Sequence, residues 1–305
     1  MSPEDRVVTE VEGRQLVLRN LSKVLYPATG FTKAEVISYY LRIAPVLLPH
    51  LARRPVTFVR FPDGVDAPSF FEKRLPKGAP PWVETIEVPR NSRAADATIP
   101  MPAIGDLPSL VWAANLAALE LHVPLWRSVQ AGAFGLFDQM VFDLDPGAPA
   151  SIVECCHVAA WLTDALSARG YDVVVKTSGS KGLQLYVQLD PPRPWESVRE
   201  EAHTWARAVE QEHPDAVVSN MRKDLRAGKV LIDWSQNFPT KTTVAVYSLR
   251  ARSAPTVSTP VTADEIGHCA HTGDPAVLRF VASDVLERVE RLGDLFANPA
   301  VPGRR

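Results

Sequence analysis

The chain has 305 residues, 46% of them hydrophobic and 22% charged, an ordinary globular composition with ample material for a core. A formal net charge of −2 excludes bulk basicity as a route to nucleic acid, so any such partner must meet local basic patches. Three cysteines, two of them adjacent at Cys155 and Cys156, exclude a disulfide framework and offer no zinc spacing.

The N-terminus, MSPEDRVVTEVEGRQ, is too polar for a signal peptide, and no apolar run approaches the length of a membrane span. A soluble cytoplasmic protein, associated with the nucleoid if DNA is its partner, is the expectation. VVTEVEGRQLVL reads as a hairpin turning at Glu12–Gly13. Thr32-x-x-Glu35 is a capping box, which predicts a helix from there to about Leu48. Lys23 and Lys33 flank the turn before it; two lysines beside a helix N-terminus either hold a phosphate or are simply solvated. PVTFVRFPDG reads as a strand and turn. Phe70 and Phe71 follow beside Lys73, Arg74 and Lys77, a grouping that suits base stacking next to a phosphate but equally fits a core phenylalanine.

Residues 90–106 read as irregular strand and loop. LPSLVWAANLAALELH predicts an apolar helix from Leu107 to about Leu121, with His122 at its C-terminal end. VFDLDPG reads as a short strand ending at Pro146–Gly147. Residues two apart on a strand share a face, so Asp143 and Asp145 project together. Such a pair either sits in a solvated loop or shares a hard cation such as Mg²⁺ or Mn²⁺. Ser151-x-x-Glu154 opens a second helix, carrying the Cys155–Cys156 pair as buried packing and stopping at Gly170. Two strands, YDVVVKTS and LQLYVQL, then flank the turn SGSKG. Its amides, the Ser178 hydroxyl and Lys181 suit a polyphosphate, although a plain hairpin turn has the same look; it is no P-loop.

PWESVREEAHTWARAVEQEHP is a strongly patterned helix, with His203 and His213 expected on its surface. Between 219 and 252 the balance changes to seven basic residues against Asp224 and Asp233. These charges bracket two apolar strands, KVLIDW and TTVAVYSL. Asp233 ends the first and is a candidate third metal ligand. A short Pro-rich connection and a helix over about 274–292 complete the pattern; His268, Cys269 and His271 lack a fourth zinc ligand nearby.

Two acids on one strand, a third on a later strand, a phosphate-suited turn and a basic segment are the parts of two-metal nucleotidyl transfer, with ions about 3.5–4 Å apart. The strings KVLYPATGFTKAEV, RPVTFVRFPDGVDAPSFFEK, LAALELHVP, VFDLDPG, KTSGSKGLQLYV, LRAGKVLIDWSQN and KTTVAVYSLRAR carry a resemblance as well. From about Asn20 to Leu295 the chain resembles the polymerase domain of bacterial ligase D and its stand-alone relatives, in the archaeo-eukaryotic primase superfamily.

The resemblance implies an α+β fold: a primase-like catalytic core of mixed and antiparallel sheets flanked by helices. It implies one domain over 1–295, with a DNA-end-binding region to about 135, a catalytic core over about 136–295 and a flexible tail over 296–305. Asp143, Asp145 and Asp233 match the metal-binding catalytic acids, holding two Mn²⁺ or Mg²⁺ ions. His122, Ser178, Gly179, Lys181, Gln184, Arg226, Gln236 and Arg250 match the site for the nucleoside triphosphate substrate. Lys23 and Lys33 match a pocket for a downstream 5′-phosphate, with Phe70, Phe71 and Lys73 at the DNA junction. The implied activity is addition of ribo- or deoxyribonucleotides to a primer 3′ end, filling short gaps in end joining or excision repair. Gapped or nicked DNA and a separately encoded ATP-dependent DNA ligase are the implied partners. No ligase or nuclease motif is visible, so a polymerase module alone is expected.

Two departures stand out. The family motif Gly-Leu-His reads Gly182–Leu183–Gln184 here, and a neutral Gln supplies no positive charge to a phosphate. The stretch between His122 and Asp143 is short, which favours gap filling over bridging of ends. Two alternatives follow: de novo primer synthesis by the same site, and a weakly catalytic or non-catalytic gap-binding module that recruits a ligase. Gln184 keeps the second open; three acids argue against it.

Overall fold

The computed structural model describes residues 6–90 and 97–297. It divides into two compact units. Met1–Gly135, Thr242–Val257 and Val281–Glu290 form the first, and Leu136–Lys241, Ser258–Phe280 and Arg291–Arg305 the second. Two segments within the expected core range of about 136–295, Thr242–Val257 and Val281–Glu290, group with the first unit. The cause is non-local pairing, since Thr243–Val244 adds to a sheet edge beside Ala118–Val123.

In the first unit, strands Arg6–Val11 and Arg14–Arg19 pair antiparallel around Glu12 and Gly13, both at positive φ. Helix Lys33–Leu51 starts at the reciprocal Thr32/Glu35 cap. It buries Val36, Tyr39, Tyr40, Ile43 and Leu47. The two tyrosines are tied through their hydroxyls, Tyr39 to the Tyr247 carbonyl at 2.8 Å and Tyr40 to the Leu119 carbonyl at 2.7 Å. A four-stranded sheet runs in the order Thr243–Val244, Ala118–Val123, Thr57–Arg60, Phe70–Glu72.

The apolar helix is shorter than expected. It ends at Asn115, and Ala118–Val123 is a strand. Asn115 spends its side chain outside the helix, accepting from Arg19 N–H and donating to the Val17 carbonyl. Ala117 then takes a left-handed φ of 57°. The misreading has a simple source: a strand buried on both faces shows the same unbroken apolar run as a buried helix.

In the second unit a six-stranded sheet runs Val217–Val218, Val230–Asp233, Phe137–Pro146, Leu183–Arg193, Val173–Thr177, Pro260–Val261. All pairings are antiparallel except the first, so the sheet is mixed. Helix Ile152–Ser167 carries the Ser151/Glu154 cap and buries Cys155, Cys156, Val158 and Leu162. Helix Trp195–Glu212 packs Val198, Ala202 and Ala206 inward. Its histidines are not plain surface groups: His203 stacks on Trp234 at 3.9 Å and His213 on Trp161 at 3.6 Å.

The segment expected as a Pro-rich connection contains helix Ala263–Thr272, opened by a Thr262/Glu265 cap. The expected 274–292 helix resolves into a 3-10 turn Pro275–Leu278 and helix Ala282–Leu292. Phe296 is buried, edge-on to Tyr186 at 5.1 Å, so packing continues past the expected start of the tail. Residues 298–305 of that tail lie outside the described residues, as do 91–96 of the expected 90–106 loop. Among the described residues no helix is long and apolar enough to cross a membrane.

Candidate active site

The second unit gathers its acids by register. Asp143 lies directly opposite Asp233 on one side and Gln184 on the other. Asp145 is two residues along the same strand and therefore on the same face. Asp233 is buried and heavily hydrogen-bonded: Oδ1 accepts from Ser235 N–H (2.9 Å) and Ser235 Oγ (2.6 Å), and Oδ2 from Gln236 Nε2 (2.9 Å). Lys241 in turn donates to Ser235 Oγ at 2.6 Å. Asp143 Oδ1 accepts from Gln184 Nε2 at 3.1 Å.

Electrostatics make this a site under charge pressure. Burial, then the charges of Asp145 and Asp233, push the Asp143 carboxyl up to about 7, against the pull of the Gln184 hydrogen bond and Lys176. Asp145 is raised too, by desolvation and Asp233, with Arg226 opposing. Carboxylates that raise one another are relieved by a cation, and oxygen donors suit Mg²⁺ or Mn²⁺. The oxygen donors are of the kind such an ion takes, although among the described residues no group of three or more His, Cys, Asp or Glu is arranged to hold a metal ion. His268, Cys269 and His271 form none either, and Cys269 is buried.

Two glycines bring loops against the acid strand. A methyl on Gly182 would meet the Leu144 carbonyl oxygen at 1.9 Å, and one on Gly147 the Arg226 carbonyl oxygen at 1.9 Å. The first contact presses the Ser178–Gly182 turn onto the strand between the two aspartates; the second brings the Arg226 loop to its end. Arg226 Nε is buried and has no hydrogen-bond partner among the described residues.

The turn itself is largely self-satisfied. Ser178 Oγ accepts from the N–H groups of Ser180 and Gly182, both at 3.2 Å, and Ser178 N–H donates to the Gly182 carbonyl at 2.9 Å. The expected cradle of turn amides is therefore mostly spent internally, and Gly179 supplies the left-handed φ of 66° that closes it. Lys181 is exposed. Gln184 differs more from expectation: it is 4% exposed, with both ends of its amide held by side chains.

In the first unit His122 lies on the Ala118–Val123 strand, opposite Thr57 and Val244, and not at a helix end. Its Nε2 is 2.9 Å from Glu120 Oε2. Arg250 Nε forms an ion pair at 3.0 Å with the other Glu120 oxygen, which also accepts from Ala251 N–H at 3.0 Å. The His122 contact, Arg250 and the Ala251 N–H hold the buried Glu120 carboxyl down at about 2 against desolvation. Phe71 meets the His122 ring edge-on at 6.0 Å and is 66% exposed, while Phe70 lies under the Arg60 guanidinium at 5.0 Å. Neither phenylalanine is core. Lys73 is exposed on the same edge.

Lys23 and Lys33 also come together, because Lys33 N–H donates to the Lys23 carbonyl at 2.8 Å. They differ in state: Lys33 is 7% exposed with Nζ on the Arg19 carbonyl (2.7 Å), while Lys23 is half-exposed and paired with Asp63 at 2.6 Å.

Three supporting residues had escaped sequence reasoning. Glu120 left a signal, a lone acid inside the apolar run LAALELHVP. Lys176 left one too, a lysine closing the apolar strand VVVKT. Asn237 left none: fully buried, it accepts from Val141 N–H (2.9 Å) and donates to the Val141 carbonyl (2.7 Å), pairing with the acid strand as a neighbouring backbone would.

Residues 32–296 match the family described as LigD, primase-polymerase domain. The chain is 44% identical over 287 residues to the multifunctional non-homologous end joining DNA repair protein LigD of Mycobacterium tuberculosis, covering 92% of this chain and 36% of that protein. It is 28% identical over 290 residues to the bifunctional non-homologous end joining protein LigD of Bacillus subtilis, covering 93% of this chain and 45% of that protein. The solved polymerase domain of Mycobacterium tuberculosis ligase D in complex with DNA superposes with a TM-score of 0.84 at 44% identity, covering 92% of this chain and 96% of that one. The chain thus spans less than half the length of these curated relatives.

Proposed function

The chain belongs to the LigD primase-polymerase domain family, and from that premise we propose that it extends a primer strand on a template and fills short gaps that end in a downstream 5′-phosphate. The observation that carries the proposal is the group of mutually repelling carboxylates, Asp143 opposite Asp233 and Asp145 two residues along the Asp143 strand, with the unpartnered Arg226 Nε beside them. Asp143, Asp145 and Asp233 would hold the divalent ions, which activate a primer 3′-hydroxyl and steady a leaving pyrophosphate when bound. Lys181, Arg226 and Gln236, in the second unit, are proposed as nucleotide-binding side chains; within the first unit, His122 and Arg250 are proposed as nucleotide-binding side chains of their own. Ser178 and Gly179 act by shaping the turn that carries Lys181. Lys23 and Lys33 are proposed to receive the 5′-phosphate, and Phe70, Phe71 and Lys73 the DNA beside it.

The setting proposed is end joining, which the relatives' names share; excision repair has no support among them. Sealing falls to an ATP-dependent DNA ligase, and the work belongs in the cytoplasm at the nucleoid. The test is primer extension across a one- to three-nucleotide gap, with Mn²⁺ or Mg²⁺, ribo- or deoxynucleotides, and a 5′-phosphate or 5′-hydroxyl downstream. Extension that vanishes in Asp143→Ala and improves with the 5′-phosphate is the expected result. Tight gap binding without extension under every condition would overturn it in favour of a recruiting module.

A further inference from the structure

Lys176 is fully buried, and nothing in the proposed chemistry uses it. It lies on the Val173–Thr177 strand directly opposite Gln184, which lies opposite Asp143, which lies opposite Asp233. Four polar side chains thus form one row across four adjacent strands. Lys176 Nζ donates to Gln184 Oε1 at 2.5 Å and to Ser258 Oγ at 2.6 Å, and Ser258 Oγ donates to the Thr177 carbonyl at 2.9 Å. The Tyr186 hydroxyl also donates to Gln184 Oε1 at 3.4 Å, and its ring centroid lies 5.4 Å from the ammonium.

An ammonium group has donors and no acceptor, so only the carbonyl end of the Gln184 amide can face Lys176. The amide is planar, and its NH₂ end therefore faces Asp143, where it donates at 3.1 Å. Without Lys176, either end of the amide could face Asp143, and the carbonyl end would repel it. We infer that Lys176 is a positioning residue: it fixes the polarity of Gln184, which then holds Asp143 Oδ1 by a donated hydrogen bond and orients the carboxylate for its ion. A neutral imidazole at 184 would meet the same demand, with one nitrogen accepting from Lys176 and the other donating to Asp143. Gln184 is then a working relay of the acid row.

The inference rests on the proposed role of Asp143, and its test separates the two. In the metal-free 305-residue chain, the Gln184 side-chain NH₂ should give resolved, slowly exchanging proton signals in a ¹⁵N NMR spectrum. Lys176→Met should shift them and speed their exchange while backbone signals elsewhere stay put. In gap filling, Lys176→Met should lower kcat by about ten- to a hundred-fold, as loss of a group that orients a metal ligand does, with gap-binding Kd unchanged. Calorimetric titration of the chain with Mn²⁺ should show weaker binding in the same variant.

Where Lys176→Met does not fold, Gln184→Glu and Gln184→His carry the test with Lys176 in place. Glu keeps the partner of Lys176 but loses the donor to Asp143, so kcat should collapse; His keeps both, so Gln184→His should retain at least about ten-fold more kcat than Gln184→Glu. Unchanged NH₂ signals in Lys176→Met, unchanged kcat in that variant, or full activity in Gln184→Glu would each overturn the inference. Absence of Asp143-dependent extension in the wild type would overturn the polymerase reading instead, and the NH₂ signals of the metal-free chain would still decide whether Lys176 orients Gln184.

Discussion

Glu120→Gln is the most exacting perturbation of the first unit. The wild-type carboxylate takes Arg250 on one oxygen and His122 on the other, and the Ala251 N–H as well. Lowering its pKa from 4.5 to about 2 corresponds to about 3 kcal/mol of preference for the charged form in the fold. The glutamine oxygen can still accept from Ala251 N–H, so the expected loss of stability at neutral pH is about 1–3 kcal/mol. The sign follows from the depressed folded pKa. The carboxylate's contribution is fully present above 4.5 and is lost as pH falls towards about 2. Urea unfolding of wild type and variant should therefore show a gap at pH 7 that shrinks by more than half between about pH 5 and pH 3. With Arg250 and His122 no longer anchored, the variant should also show a raised KM for nucleotide at a less affected kcat. A stability gap equal at both pH values would refute the ion-pair reasoning and assign the loss to packing alone.

Other sites give sharper yes-or-no outcomes. Gly182→Ala should abolish most extension, because its methyl cannot sit 1.9 Å from the Leu144 carbonyl oxygen without displacing the turn from the acid strand; wild-type kcat in this variant would refute that contact. Asn237→Leu should destabilise by about 2–4 kcal/mol in urea unfolding, since it leaves the buried N–H and carbonyl of Val141 unpaired. Lys23→Ala should leave stability nearly unchanged, as an exposed pair with Asp63 contributes about 0–1 kcal/mol, yet lower the preference for 5′-phosphorylated over 5′-hydroxyl gaps in a binding assay. An unchanged preference would remove Lys23 from the 5′-phosphate pocket.

Local signals carried most of the elements. Thr32-x-x-Glu35 and Ser151-x-x-Glu154 both form the reciprocal caps that their spacing predicts. Thr262-x-x-Glu265 has the same spacing and the same cap but stands in a segment taken for a connection, where surrounding prolines drew the reading away from a helix. Ala118–Val123 shows the opposite failure: its apolar run continued the helix pattern, and only a turn at Ala117 and pairing with distant strands make it a strand. The acids stand out one by one because each lies at or near the end of an apolar strand. Their arrangement was not, because Asp143 opposite Asp233 depends on pairing between segments about 90 residues apart in sequence. Glu120, Lys176 and Asn237 act through partners on other strands or loops, and a linear reading does not reach such partners.

That register also sets what a residue at the centre of the row must do. Asp143, Asp145 and Asp233 bring three negative charges, and Lys176 with Arg226 bring two positive ones, so the cluster keeps a net demand for positive charge. A cation at position 184 would reduce that demand and compete with a divalent ion. A neutral group that merely passes the Lys176 hydrogen bond on to Asp143 leaves it intact. The raised Asp143 carboxyl is the electrostatic trace of the same demand, and a bound divalent ion would lower it by favouring the charged form. On this reasoning the polarity of the residue at 184 matters more than its charge. A histidine there, as in the Gly-Leu-His motif the resemblance implies, and the glutamine here would then be two ways of making one hydrogen-bonded link.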